Sequence, residues 1–191
     1  MQDSLSRPSV LGARMSVIGR SFGAKTLLAA AMVFASAAFA TAAPLVTPTP
    51  VLSEDLQQQL SDIFGEGEGA YLQRETMRYV EAALARRGAI DAVDADGAVT
   101  VEITIVRATP NRPTMTQLRE TPGLSMQSIS LGGAEFIAVI RDSAGAERAR
   151  VTHEHFSRDI EDAVGMSVWG DARIAMRGFA RKVAEAYAAI G

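Results

Sequence analysis

The chain has 191 residues, a formal charge of −3, no cysteine and one tryptophan. Without cysteine there is neither a disulfide framework nor a thiol for lipid attachment, so stability must come from packing. The acidic balance excludes nucleic acid as a partner on electrostatic grounds.

The N-terminus reads as a leader for export. Residues 26–40, TLLAAAMVFASAAFA, are uncharged and apolar; Arg14, Arg20 and Lys25 precede them, and Ala38-Phe39-Ala40 supplies the small side chains a signal peptidase reads. This layout predicts a signal peptide over residues 1–40, cleaved after Ala40 or Ala42, with Met15 as an alternative start. As a helix the apolar run spans about 22 Å, short of the roughly 30 Å hydrocarbon core, so no stable transmembrane anchor is expected. Cleavage removes Arg7, Arg14, Arg20 and Lys25 together with Asp3, which takes the formal charge from −3 to −6. The expected location is periplasmic or secreted. The leader has no twin-arginine pair, which favours export in the unfolded state.

Residues 41–52, rich in proline, predict an extended linker, and residues 53–191 a single domain. Ser53 can cap a helix carrying Leu56, Leu60, Ile63 and Phe64 at helical spacing. Gly65–Gly69, GEGEG, breaks that helix. A second helix then puts Leu72, Thr76, Tyr79, Val80, Ala83 and Leu84 on one face and ends at Gly88. Residues 98–107 alternate, with Val99, Val101, Ile103 and Ile105 opposed to Thr100, Glu102 and Thr104, and predict a half-buried strand. Pro110, Pro113 and Pro122 punctuate a long loop that has room for a helical turn at Thr116–Glu120.

Met126–Leu131 and Glu135–Arg141 flank Gly132-Gly133, which reads either as a hairpin turn or as a bulge in one bent strand. Asp142–Gly145 is a turn sequence that pairs residues 134–141 with 147–156. In the register that turn implies, Glu135 faces His153. In the last helix Trp169, Ala172, Met176, Phe179, Ala180, Val183, Ala186, Tyr187 and Ile190 fall in one arc, with Arg173, Arg177, Arg181 and Glu185 outside it. Burying its large members contributes on the order of 10 kcal/mol gross, so truncation before Phe179 is expected to unfold the protein. The fold class is α+β: a mostly antiparallel sheet of three to four strands, packed by an N-terminal helical region and a long C-terminal amphipathic helix.

Candidate chemistry is sparse. His153 and His155, the only histidines, project to one face of a strand and are candidate metal ligands, with Asp159, Glu161 or Asp162 to complete a shell. A cross-strand Glu135–His153 pair is the competing reading. The glycines at 65, 67 and 69 suggest a phosphate loop, but no buried strand precedes them and Glu66 and Glu68 would repel an anion. Asp91, Asp94, Asp96 and Gly97 imitate a calcium loop, yet Ala92 and Ile103 fall where it needs carboxylates. Ser125 reads as a turn serine, and neither a GxSxG motif nor a cysteine is present, so no catalytic residue and no cofactor is assigned. Arg148 and Arg150, on a solvated strand face, are candidate contacts for an anion or partner. Phe136, Ala138 and Ile140 form an apolar hairpin face that would serve a structural subunit as its contact.

Ser130-Leu131-Gly132-Gly133-Ala134-Glu135, Arg141-Asp142-Ser143 with Gly145, and Trp169-Gly170-Asp171-Ala172 together resemble uncharacterised small envelope lipoproteins of proteobacteria, a domain of unknown function. The resemblance covers roughly residues 98–190 and implies an α+β periplasmic domain with a sheet flanked by helices and no established activity. The chain departs from it in lacking the lipidated cysteine. The functional expectation is an exported accessory or binding protein that recognises an envelope protein, lipid or small ligand through the 108–123 loop and the exposed sheet face. The alternatives are a metal-binding protein or metal-dependent enzyme using His153 and His155, and a structural subunit of an envelope assembly.

Overall fold

The computed structural model describes residues 45–89, 98–163 and 166–190, all within one compact unit, Phe39–Gly191. The predicted signal peptide with its cleavage site, and the acidic turn at Asp91–Gly97, lie outside the described residues. The elements in chain order are β1 (Leu45–Val46), β2 (Val51–Leu52), α1 (Glu54–Gln59), α2 (Glu66–Ala85), β3 (Val99–Thr109), α3 (Met115–Glu120), β4 (Gly133–Arg141), β5 (Glu147–Phe156) and α4 (Gly170–Ala188). They form an α+β fold with a mixed open sheet. β3, β4 and β5 are antiparallel neighbours, and β1 and β2 both run parallel to β3 on its outer side.

The two short parallel strands correct the expectation that residues 41–52 are only a linker. Leu45 is buried, and the Pro50 carbonyl accepts a hydrogen bond from Gln73 Nε2 at 2.7 Å. Proline cannot donate to a ladder, so this segment can pair only in short pieces between its prolines, at a sheet edge.

Ser53 does more than cap α1. Its Oγ accepts from Leu56 N at 3.2 Å and donates to Val106 O at 2.7 Å, while its N–H donates to Ile105 O at 3.0 Å. Val106 is the residue the β3–β4 register skips, so Ser53 satisfies the bulged carbonyls. After Gln59 the helix widens into a π-helical turn, Leu60–Phe64. The wider turn shifts the helical phase, so Phe64 is buried while Ile63, expected in the core, stays 47% exposed.

GEGEG proves to be mostly helix. Only Gly65, at φ 103°, makes the break; Gly67 and Gly69 already lie in α2, and a Cβ at Gly69 would meet the Leu52 and Leu60 methyl groups at 3.0 and 3.2 Å, so those side chains would have to give way. Leu72, Thr76, Val80, Ala83 and Leu84 are buried along α2. Gly88 N–H to Ala85 O at 3.0 Å and Ala89 N–H to Leu84 O at 3.2 Å close the helix, as the glycine there predicts.

The hairpin forms where the turn sequence places it, with Asp142 Oδ1 accepting from the N–H groups of Ala144 and Ala146. Its register, however, slips by one residue. Arg141 faces Glu147, but Ile140 faces Ala149, so Arg148 is extra and His153 lies opposite Phe136. The expected Glu135–His153 pair therefore does not form. Glu135 faces Glu154 instead, and Arg107 bridges both carboxylates at 2.7 and 3.2 Å. Gly132-Gly133 is neither a hairpin turn nor a mid-strand bulge: β4 begins at Gly133, after an irregular segment.

Helix α4 packs on β4 and β5 on one side and on α2 on the other. This double contact explains why Ala175 and Ala184, outside the predicted arc, are buried with it. Phe136 and Phe179 stack with ring centroids 5.0 Å apart at the centre of the core. Phe136, Ala138 and Ile140 are each 0% exposed, so the hairpin's apolar face is not the contact surface of a structural subunit: α4 already covers it.

Candidate functional site

Where β3 runs into the 108–123 loop, the buried Asn111 organises the end of the fold. Its Nδ2 donates to Asp171 Oδ2 at 2.6 Å and its Oδ1 accepts from Asp171 N at 2.9 Å. Ser157 Oγ donates to the same carboxylate oxygen at 2.5 Å. The backbone joins in through Asn111 N to Val168 O at 2.7 Å and Ser130 N to Asn111 O at 3.0 Å. A Cβ at Gly132 would collide with the Asn111 amide, which is the physical need for glycine there. The Ser130–Gly133 and Trp169–Ala172 segments, far apart in sequence, thus meet on one asparagine.

Asp171 is 1% exposed and carries its carboxylate into the first turn of α4, where the helix dipole favours negative charge. Next to it Trp169 donates from Nε1 to Glu68 Oε2 at 2.6 Å and meets Phe64 edge-on at 6.0 Å. Glu68, whose charge already spoke against a phosphate loop at GEGEG, is committed to holding α2 to the start of α4.

Beside this network opens a cleft of about 690 Å³. Phe156, Met166 and Ile174 provide apolar wall, while His155 and Arg158 share the polar lining with Ser157 and the carboxylates of Glu154, Asp162 and Asp171. Arg107 lies over the Phe156 ring at 5.0 Å. The Ser157 hydroxyl donates straight to the Asp171 carboxylate.

His153 and His155 share one face of β5, but their surroundings differ. His155 opens onto the cleft, whereas His153 packs on the backbone of α4 at Gly178, where a Cβ would run into the imidazole. Burial, followed by the nearby Lys182, His155 and Arg181, holds the His153 imidazole below the ordinary histidine range. Among the described residues no group of three or more His, Cys, Asp or Glu side chains could hold a metal ion. Arg148 and Arg150 are exposed and engaged locally, Arg148 with Asp142 at 3.5 Å and Arg150 with Glu147 at 2.8 Å. Ser125 accepts from Gln127 N at 3.3 Å within its own turn.

Asn111, buried, and Ser157, half-buried, escaped sequence reading because a polar group in a loop has no periodicity; the Pro-Asn-Arg-Pro context is the local sign of a fixed backbone at Asn111. Among the described residues, no helix is long and apolar enough to cross a membrane. What the fold and site define is an α+β domain with a cleft beside a largely buried polar network. No protein-family model matches the chain, and no curated protein matches it in sequence. Among solved structures it is similar to a candidate lipoprotein from Caulobacter crescentus, at 16% identity over 74% of this chain and 87% of the other, with a TM-score of 0.32.

Proposed function

We propose that the chain is an exported, non-catalytic binding protein of the cell envelope, and that a small ligand occupies the cleft between the end of β5 and the start of α4. The cleft carries this reading: about 690 Å³ falls within the roughly 300–1,000 Å³ of small-ligand sites. Its lining fits a ligand with an apolar body against Phe156 and Ile174 and an uncharged hydrogen-bonding group near Arg158 and His155, because Glu154, Asp162 and Asp171 on the same lining would repel an anion. The Asn111–Asp171–Ser157 network supports the reading by holding two walls in fixed geometry, as a preorganised site requires. The leader over residues 26–40 supports export.

The test is native mass spectrometry of the chain expressed with its leader and purified gently from the producing cells, set against the denatured mass. The expected result is an added small-molecule mass that Ile174→Trp, which fills the cleft, abolishes without changing the circular dichroism. A bare wild-type mass, or an adduct that Ile174→Trp retains, overturns the assignment. An added mass equal to a metal ion, lost in His153→Ala/His155→Ala, would favour the metal-binding alternative.

A further inference from the structure

A second recess shares no residue with that cleft. It lies between α2 and α4 and encloses about 380 Å³. Ala83 of α2 faces Ala180 and Ala184 of α4 across it, and Tyr79 closes one side. Short side chains let the two helices approach: Ala83, Ala180 and Ala184 form a nearly buried floor, and the exposed Ala82 and half-buried Tyr79 add accessible apolar surface beside it. Around it stand four guanidinium groups, Arg86 and Arg87 from α2 and Arg177 and Arg181 from α4.

The arginines are only partly explained by the fold. Arg86 and Arg87 follow the C-terminus of α2, where positive charge offsets the helix dipole. Arg177 and Arg181 have no such reason, because like charges four residues apart on a helix oppose its stability. Glu185 approaches Arg181 only to 3.9 Å, and Arg86, Arg87 and Arg177 form no ion pair among the described residues. Arg177 instead leans toward the Tyr79 ring, 6.0 Å from its centroid. In a chain of net charge −3, this is a concentration of positive charge around an apolar trough.

We propose that this groove binds a single-chain anionic amphiphile, with its hydrocarbon chain along the alanine floor and its acid head between the arginines. Charge complementarity selects the anion. The apolar floor selects a chain attached to it, since a bare anion would leave that floor empty. The enclosed volume suits one chain rather than a bilayer surface.

The experiment titrates the full-length chain with octanoate, decanoate and dodecanoate, each below its micelle concentration, by isothermal calorimetry. Affinity is expected to rise about fourfold per methylene, the equivalent of about 0.8 kcal/mol per buried CH₂, and decanol is expected to bind at least tenfold more weakly than decanoate. Arg177→Gln/Arg181→Gln should weaken dodecanoate at least tenfold with an unchanged unfolding midpoint. Ala82→Phe, at an exposed position on the groove, should block the chain without touching the charges. Affinity that ignores chain length, or that survives both variants, overturns the proposal. So does binding of poly-glutamate in place of the fatty acids, which would make the groove a site for acidic protein segments.

Discussion

Two polar systems lie a few residues apart along the same strands, and they differ in what surrounds them. Arg107, Glu135 and Glu154 meet on the exposed sheet face, where the Arg107 side chain keeps 55% of its exposure. Asn111, Asp171 and Ser157 meet at the end of β3 and β5, with Asn111 at 0% and Asp171 at 1% exposure. Water screens the first system and replaces any bond it loses. In the second, Asn111 and Asp171 are buried and depend on each other, while the half-buried Ser157 stands at the cleft, within reach of water. Formal charge is thus a poor guide to energetic weight: the more highly charged cluster is the more dispensable one.

The sharpest way to break the contrast is Asn111→Ala, which strips two hydrogen bonds from a buried carboxylate and its backbone. The expected loss is about 3 kcal/mol, read by urea denaturation with Trp169 fluorescence as the probe. A loss below about 1 kcal/mol would mean that water already serves Asp171. Ser157→Ala removes one charge-assisted bond to the same oxygen and should cost about 1.5 kcal/mol. Its effect should not add to that of Asn111→Ala, because the two share one acceptor. On the exposed side, Arg107→Ala should cost less than about 1 kcal/mol, and added salt should shrink the effect.

The smallest effect is a pH dependence at His153. Its folded-state pKa lies below the unfolded value of 6.5, first because of burial and then because of Lys182, His155 and Arg181. Just below pH 6.5 the unfolded chain therefore binds more protons than the folded one, so stability rises with pH through that window and falls on acidification. The urea midpoint should be lower at pH 5.5 than at 7.5, and His153→Gln should shrink that difference. Equal differences in both proteins would place the titration elsewhere.

Much of the fold was legible because it follows from periodicity and turn chemistry. The alternation of Val99 to Ile105, the Asp142–Gly145 turn and the α4 stripe each state which face is apolar and where the chain reverses. Three readings failed for a common reason. The His153 register, the exposure of Phe136 and Ile140, and the role of GEGEG all depend on a second element. The bulge at Arg148 moves His153 by one place, α4 covers the hairpin, and the Trp169–Glu68 bond commits a segment that locally reads as a breaker. The candidate cleft was half visible: His155 was singled out, while Asn111, Ser157 and Ile174 were not.

Sequence alone determined the α+β class, the strand over residues 98–107, the hairpin turn and the amphipathic last helix, because hydrophobic periodicity and turn residues act over only a few neighbours; it left the strand count between three and four. Tertiary structure decided the parallel strands before Ser53, the slipped register, and the meeting of Asn111 with Asp171. Those outcomes turn on whether distant groups can satisfy one another once water is removed, and no local pattern encodes that pairing.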